Sequence, residues 1–306
     1  MRFDIVADVH GHASKLTALL SKLGYKLKNG IWQHQDRTLV SVGDLIDRGP
    51  EQLETVRILR QMRDEGFALV TMGNHEHNAI GWFLTDPNEP SRPLRAHSAK
   101  NRNQHQAFLE AVGEGSPLHR ETVEWFMTLP LWWETDGLRV IHACWHAREI
   151  AIMRNFVNQD ASLTEDGIYA SFAKGHPAHN AVEILLKGLE IALPAGVSFF
   201  DKDGHERTNT RIRWWDDVAT TYRSAALVDP ETTALLPDIE LGPEDRLEYD
   251  HAASVVFGHY WLQGNPGLTD RRRLCLDYSV AKGGHLAAYQ WDGEAELDPS
   301  KLVYVS

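Results

Sequence analysis

Thr38-Leu39-Val40-Ser41-Val42-Gly43-Asp44-Leu45-Ile46-Asp47-Arg48-Gly49 is the stretch that decides how this chain folds. Its first five residues are mostly apolar and rich in β-branched types, the composition of a buried strand. The strand then breaks directly into a glycine-flanked polar cluster. The same arrangement recurs along the chain. Residues 3–7 read as a strand and run into Asp8-Val9-His10-Gly11. Residues 67–72 run into Gly73-Asn74-His75-Glu76, residues 138–141 into His142, and residues 254–257 into Gly258-His259. Helical segments separate the first three strands. Ser14 is placed to cap one carrying Leu16, Leu19, Leu20 and Leu23, which Gly24 stops. Pro50 takes a first-turn position in the next, ahead of Leu53, Val56, Leu59 and Met62, with Gly66 closing it. The order β-α-β-α-β predicts an α/β sheet. Ligands of such sheets lie outside the carboxyl ends of the strands, where these five ends deliver two Asp, one Asn and four His.

Composition narrows the function. The chain has 306 residues, 42% of them hydrophobic and 24% charged, as in a folded globular protein. Lys and Arg number 31 against 43 Asp and Glu, a net charge of −12. That balance argues against an extended nucleic-acid footprint, which needs a basic face. Two cysteines, Cys144 and Cys275, are too few for a disulfide framework, so reduced thiols and a cytoplasmic location are expected. No apolar run reaches the length of a membrane span, and the start passes straight into patterned chain, so no signal peptide is expected.

The residue types at the strand ends suit one task. Two divalent cations about 3.5–4 Å apart need a bridging carboxylate and further O and N ligands on each side. Asp44 is the natural bridge, because Gly43 lets the backbone turn sharply. Asp8 and His10, two positions apart on extended chain, can face one cation together. Asn74, His142 and His259 can complete the other. A mixed carboxylate, amide and imidazole set suits Mn foremost, with Fe, Zn, Co or Mg also compatible, over an all-oxygen Ca site.

With these residues in view, the chain resembles the calcineurin-like metallophosphoesterases. Within them it is most similar to the phosphoprotein phosphatase branch, which includes bacterial and phage-type phosphatases and symmetrical diadenosine tetraphosphatases. The matching framework covers roughly residues 1–80, 130–146 and 250–306. The resemblance implies a β-sandwich flanked by helices with a dinuclear metal site at the strand ends. It implies Asp8, His10 and Asp44 on one metal and Asp44, Asn74, His142 and His259 on the other, with a hydroxide bridging the two as nucleophile. By the same resemblance His75 is the general acid, Asp47 orients and charges its imidazole, and Arg48 clamps phosphate oxygens. Two departures stand out. Thr71-Met72 precedes Gly73, where eukaryotic-type protein phosphatases carry an arginine, and Ala143-Cys144-Trp145-His146 follows His142, where they carry glycines. His146 is a candidate lining residue of the pocket, with a capped or solvated histidine as the alternative.

One domain over residues 1–306 is expected, with a helical insertion at about 81–128 and a longer one at about 147–250. Residues 91–109 contain no acid but carry Arg92, Arg95, Lys100 and Arg102 with His97 and His105. They form either a polyanion-steering patch or a solvated helix face. In the longer insertion lie Lys174-Gly175-His176-Pro177 and a helix around 181–189. A hairpin is expected there too, with Asp203-Gly204 turning between residues 198–200 and 207–215. Asp201-Lys202-Asp203-Gly204 lacks the spacing and final glutamate of a calcium loop. Alternation along the second strand puts Arg207, Asn209, Arg211 and Arg213 on one face. The resemblance implies a further phosphate-binding arginine in this region, for which Arg211 and Arg213 are the candidates. Trp214-Trp215 reads as packing ahead of a base-stacking platform, although a purine would suit it.

The leading expectation is a metal-dependent phosphoesterase acting on a phosphomonoester, be it a small molecule, a nucleotide or a phosphoprotein. Its rival is a dinucleoside polyphosphate hydrolase, favoured by the basic insertion and the tryptophans. A catalytically silent metal-binding scaffold is the third reading. His75 and Asp47, which no metal needs as ligands, speak against it.

Overall fold

The computed structural model describes residues 2–200, 204–268 and 270–306. Two sheets carry the site. In the first, strands Phe3–Val6, Thr38–Ser41 and Ala68–Val70 run parallel. His285–Trp291 pairs antiparallel with Phe3–Val6, and both Asp277–Tyr278 and Leu302–Val305 pair with His285–Trp291. The second sheet orders Arg273–Cys275, Ser254–Phe257, Leu138–Ile141 and Trp132–Thr135, the first three parallel. Both contribute to one hydrophobic core in which Ile5, Val40, Val140, Val256 and Phe257 are fully buried. The Phe3 and Trp133 rings meet edge-on at 4.7 Å between the two layers. The chain crosses from one sheet to the other between Cys275 and Asp277. The five strands whose ends carry the polar clusters are observed where the sequence places them, because continuous apolar runs bounded by glycine leave little choice.

Helix starts depart from expectation. The first helix is Ala13–Lys22, with His12 rather than Ser14 at the cap position. Ser14 lies inside it, and its backbone N–H donates to Glu51 at 2.8 Å. The next helix is Gln52–Asp64, so Pro50 precedes it. The polar loop after Gly43 is closed by tertiary bonds, such as Glu51 N–H to Gly11 O at 2.7 Å, and this shifts the helix start.

Two segments between the sheet strands, residues 81–128 and 147–250, cap the strand ends. The first holds a small hairpin, Thr85–Asp86 with Glu89–Pro93, and helices Ala99–Val112 and Pro117–Phe126. The second holds helices Ala147–Met153, Glu165–Phe172 and Pro177–Lys187, followed by short strands. Two small apolar clusters, built on Ile191 with Ile212 and on Leu193 with Leu236, lie apart from the main core. The hairpin exists in part, since Phe199–Phe200 pairs with Glu206–Arg207. Residues 201–203, and with them the Asp203 turn and the rejected calcium loop, lie outside the described residues. The long second strand does not hold. It breaks into Glu206–Arg207 and Asn209–Arg211, and the latter pairs with Glu190–Ala192. The chain then turns, because Trp214 and Trp215 bury themselves against Phe257 and Tyr260 at ring distances of 4.8 and 4.4 Å. That turn leaves Arg213 exposed, away from Arg211.

Candidate active site

Five strand ends converge on one buried cluster. Asp8, His10, Asp44 and His142 are at most 2% exposed, and Asn74 and His75 stay under a tenth. The Asp44 carboxylate is its centre. Oδ2 lies 3.6 Å from His10 Nε2, 3.4 Å from His142 Nε2 and 3.8 Å from His75 Nε2. Asn74 Oδ1 stands 3.0 Å from His142 Nε2 and 2.9 Å from His259 Nδ1. Asp8 accepts the His259 backbone N–H at 3.0 Å. Two ligand groups result, His10–Asp44–His75 and Asp44–His142–His259, sharing Asp44.

The backbone is bent to make this possible. Among the described residues, ten that are not glycine have positive φ, and seven of them are at the site: His10, Asp44, Asp47, Arg48, His259, Trp261 and Ser279. Such conformations cost energy and persist where surrounding contacts enforce them. Gly258 shows how tight the approach is. A Cβ there would come within 1.8 Å of Asp8 Oδ1.

Imidazole orientation is set from behind. His10 Nδ1 donates to Ile46 O at 3.0 Å and His142 Nδ1 to Val42 O at 2.9 Å, which turns each Nε2 lone pair into the site. His10 Nε2 is buried without any hydrogen-bond partner. The electrostatics call for a cation. Burial, and then the neighbouring Asp277 carboxylate, push the Asp8 carboxyl well above its usual range. Burial opposes charge on His142, but Asp44 overrides it and lifts the imidazole to about 10. Burial likewise opposes charge on Asp44, yet His142, His75 and His10 hold its carboxyl well below normal. An orphaned buried nitrogen, an acid-rich pocket and a mixed N/O donor set fit divalent metal ions.

Beside the cluster, His75 Nδ1 and Asp47 Oδ2 are 2.5 Å apart. Burial would depress the His75 imidazole, but the Asp44 charge and the Asp47 hydrogen bond raise it. Arg48 rests on the Trp261 ring, 5.1 Å from its centroid. Arg211 reaches the site, with Nη1 3.3 Å from His259 Nε2. His146 does not join the cleft lining. It occupies the position just before helix Ala147–Met153, half-buried, and its side chain makes no capping hydrogen bond.

Three residues have roles that the sequence reading missed. Glu76 accepts the backbone N–H groups of Asp44, Leu45 and Gly73 at 2.8–2.9 Å, stapling two strand-end loops together. His105, from the first insertion, donates through Nδ1 to Asp47 Oδ1 at 2.9 Å. Asp277 accepts from the Trp261 and Ser279 backbones at 2.8 and 2.9 Å and faces Asp8. Asp277 lies just past strand Arg273–Cys275, so the strand-end rule applied once more would have found it. Nothing local marks His105.

Fold and site together define a phosphoesterase-type scaffold whose strand ends gather a mixed carboxylate, amide and imidazole donor set. A family model described as calcineurin-like phosphoesterase matches residues 1–260, and the chain belongs to that family. It is 31% identical over 144 residues to the asymmetrical bis(5'-nucleosyl)-tetraphosphatase PrpE of Oceanobacillus iheyensis, covering 47% of this chain and 55% of that protein. To the PrpE of Bacillus subtilis it is 43% identical over 101 residues, covering 33% and 41%. The chain thus spans about half or less of these relatives. Against the symmetrical bis(5'-nucleosyl)-tetraphosphatase of Vibrio cholerae it is 34% identical over 303 residues, covering 97% and 98%. The fold is also that of a cold-active protein tyrosine phosphatase, at a TM-score of 0.53 and 18% identity, over 94% of this chain and 73% of that one.

Proposed function

We propose that this chain hydrolyses a bis(5'-nucleosyl) polyphosphate, in place of the simple phosphomonoester that the sequence first suggests. The observation that carries this reading is the cleft over the site. Its volume is about 1600 Å³, and it runs from Asp44 and His75 past both insertions to Phe199 and Val228. Ligand sites for molecules of ordinary drug size occupy about 300–1,000 Å³. A phosphomonoester would leave most of this cleft empty, whereas two nucleosides joined by a phosphate chain would use its length. The full-length likeness to the Vibrio cholerae protein supports the same substrate class.

Asp8, His10 and Asp44 would hold one divalent ion, and Asp44, Asn74, His142 and His259 the other. Mn suits the donors best. When bound, such ions supply an activated water and neutralise phosphate oxygens. Arg48, braced on Trp261, presents a planar fork to the phosphate under attack. His75 holds a proton on Nε2 for the leaving phosphate oxygen, while Asp47, itself held by His105, keeps the ring oriented and charged. The two buried thiols, Cys144 and Cys275, suit a reducing cytoplasm.

The test compares manganese-loaded protein on a bis(5'-nucleosyl) tetraphosphate and on a panel of phosphomonoesters. The dinucleotide is expected to have the higher kcat/KM by at least about tenfold. The products locate the cleaved bond: two nucleoside diphosphates for central cleavage, a triphosphate and a monophosphate for off-centre cleavage. Preference for monoesters overturns the proposal.

A further inference from the structure

The basic stretch of the first insertion resolves into two kinds of residue. Arg92 is paired with Asp86 and Glu89, and Arg102 with Glu114; both are exposed and solvated. Arg95 differs. Its backbone N–H is pinned to Gly81 O at 2.8 Å, at the end of the helix that carries Asn74 and His75. Its guanidinium is half-buried in the cleft wall, where Nη2 donates to Asn101 Oδ1 at 3.1 Å and Gln104 Oε1 at 3.0 Å. Both partners are neutral, and among the described residues no carboxylate lies within ion-pair distance.

A guanidinium offers five donors, and two amide oxygens on one nitrogen leave the fork available toward the cleft. Burial weighs against its charge, and only the more distant Asp47 and Glu183 favour it. Lys187 and His179 line the same cleft, and Lys187 is ion-paired with Glu183. Arg95 is thus a half-buried cation in the cleft wall whose hydrogen-bond partners are both neutral, a place that a bound anion would complete. Arg48 already serves the reacting phosphate.

We infer that Arg95 is a further phosphate-binding arginine, beyond Arg48 and Arg211, which takes the phosphates of the leaving nucleotide of a bis(5'-nucleosyl) polyphosphate. The inference rests on the proposed substrate class for its biological meaning, and on geometry alone for the anion subsite.

The experiment uses Arg95→Gln in the full-length, manganese-loaded chain, with metal content and melting temperature matched to wild type. Two quantities are read: inhibition of nitrophenyl phosphate turnover by inorganic tripolyphosphate, and the ratio of kcat/KM for bis(5'-nucleosyl) tetraphosphate to that for nitrophenyl phosphate. Loss of one charged hydrogen-bonding group should weaken the inhibition, and lower the ratio, by about tenfold or more. Unchanged inhibition, or an equal loss on both substrates, overturns the inference. If Arg95→Gln fails to fold, Arg95→Lys carries the test. It keeps the charge but loses the fork, so it should lie between wild type and full loss, and a wild-type inhibition constant overturns the inference. If wild-type protein does not turn over the dinucleotide, the proposed function fails, while the tripolyphosphate measurement still decides on Arg95.

Discussion

Asp44 faces three imidazoles within 3.4–3.8 Å, from three separate elements, so one carboxylate serves both halves of the cluster. Asp44→Asn keeps the shape and removes the charge. We expect bound metal to fall below two ions per chain and turnover to drop by more than about 100-fold, since even outer partners of metal ligands are worth 10–100-fold. Metal analysis and activity on one preparation check this, and two ions with normal turnover would refute the bridging role. His75 separates chemistry from binding. His75→Ala should keep both ions and lose ~10²–10⁴-fold in turnover. The loss should shrink with nitrophenyl phosphate, whose phenolate leaves without a proton, and grow with an alkyl phosphate. Equal losses across the leaving-group series would reduce His75 to a positioning residue.

At the scale of elements, the site depends on loops held in place from outside their own sequence. Glu76 stands at the start of helix Asn74–Phe83, yet its carboxylate binds the N–H groups of Asp44 and Leu45 at the end of another strand. Glu76→Gln leaves one acceptor oxygen where the carboxylate has two, and puts an amide donor against backbone N–H groups. We expect a stability loss of about 1–3 kcal/mol, the usual weight of an unsatisfied buried polar group, together with weaker metal retention. Urea unfolding and metal titration measure the two effects. Wild-type values in both would show that the loops hold themselves.

For the molecule as a whole, two sheets close around a cluster whose acids, Asp8, Asp44 and Asp277, are all buried. Chelation should therefore abolish activity and also lower the melting temperature. A ligand present at 100 times its dissociation constant adds about 2.7 kcal/mol to the folded state. For a chain of this size that amounts to a shift of about 5 °C or more. Manganese should restore both properties better than calcium, which favours a larger all-oxygen shell. Full activity in excess chelator would rule out metal dependence.

The central strands, their order and the residues at their carboxyl ends were legible in the sequence, because buried parallel strands need unbroken apolar runs and glycine-rich exits mark where they stop. Asp8, His10, Asp44, Asn74, His142 and His259 follow from that local pattern. The insertions did not yield to the same reading. Arg211 enters the cleft and Arg213 leaves it because Trp214 and Trp215 are drawn onto Phe257 and Tyr260, a packing preference that strand alternation cannot register. His146 stays out of the cleft because helix Ala147–Met153 starts directly after it. His105 reaches Asp47 across 58 positions of sequence, and Arg95 owes its surroundings to a helix that begins four residues later. What the sequence by itself determined is the strand-end chemistry, since there the spacing along the chain and the spacing in space coincide. What only the tertiary structure decided is which distant side chains orient that chemistry and which face the substrate, because those contacts are selected by packing between elements.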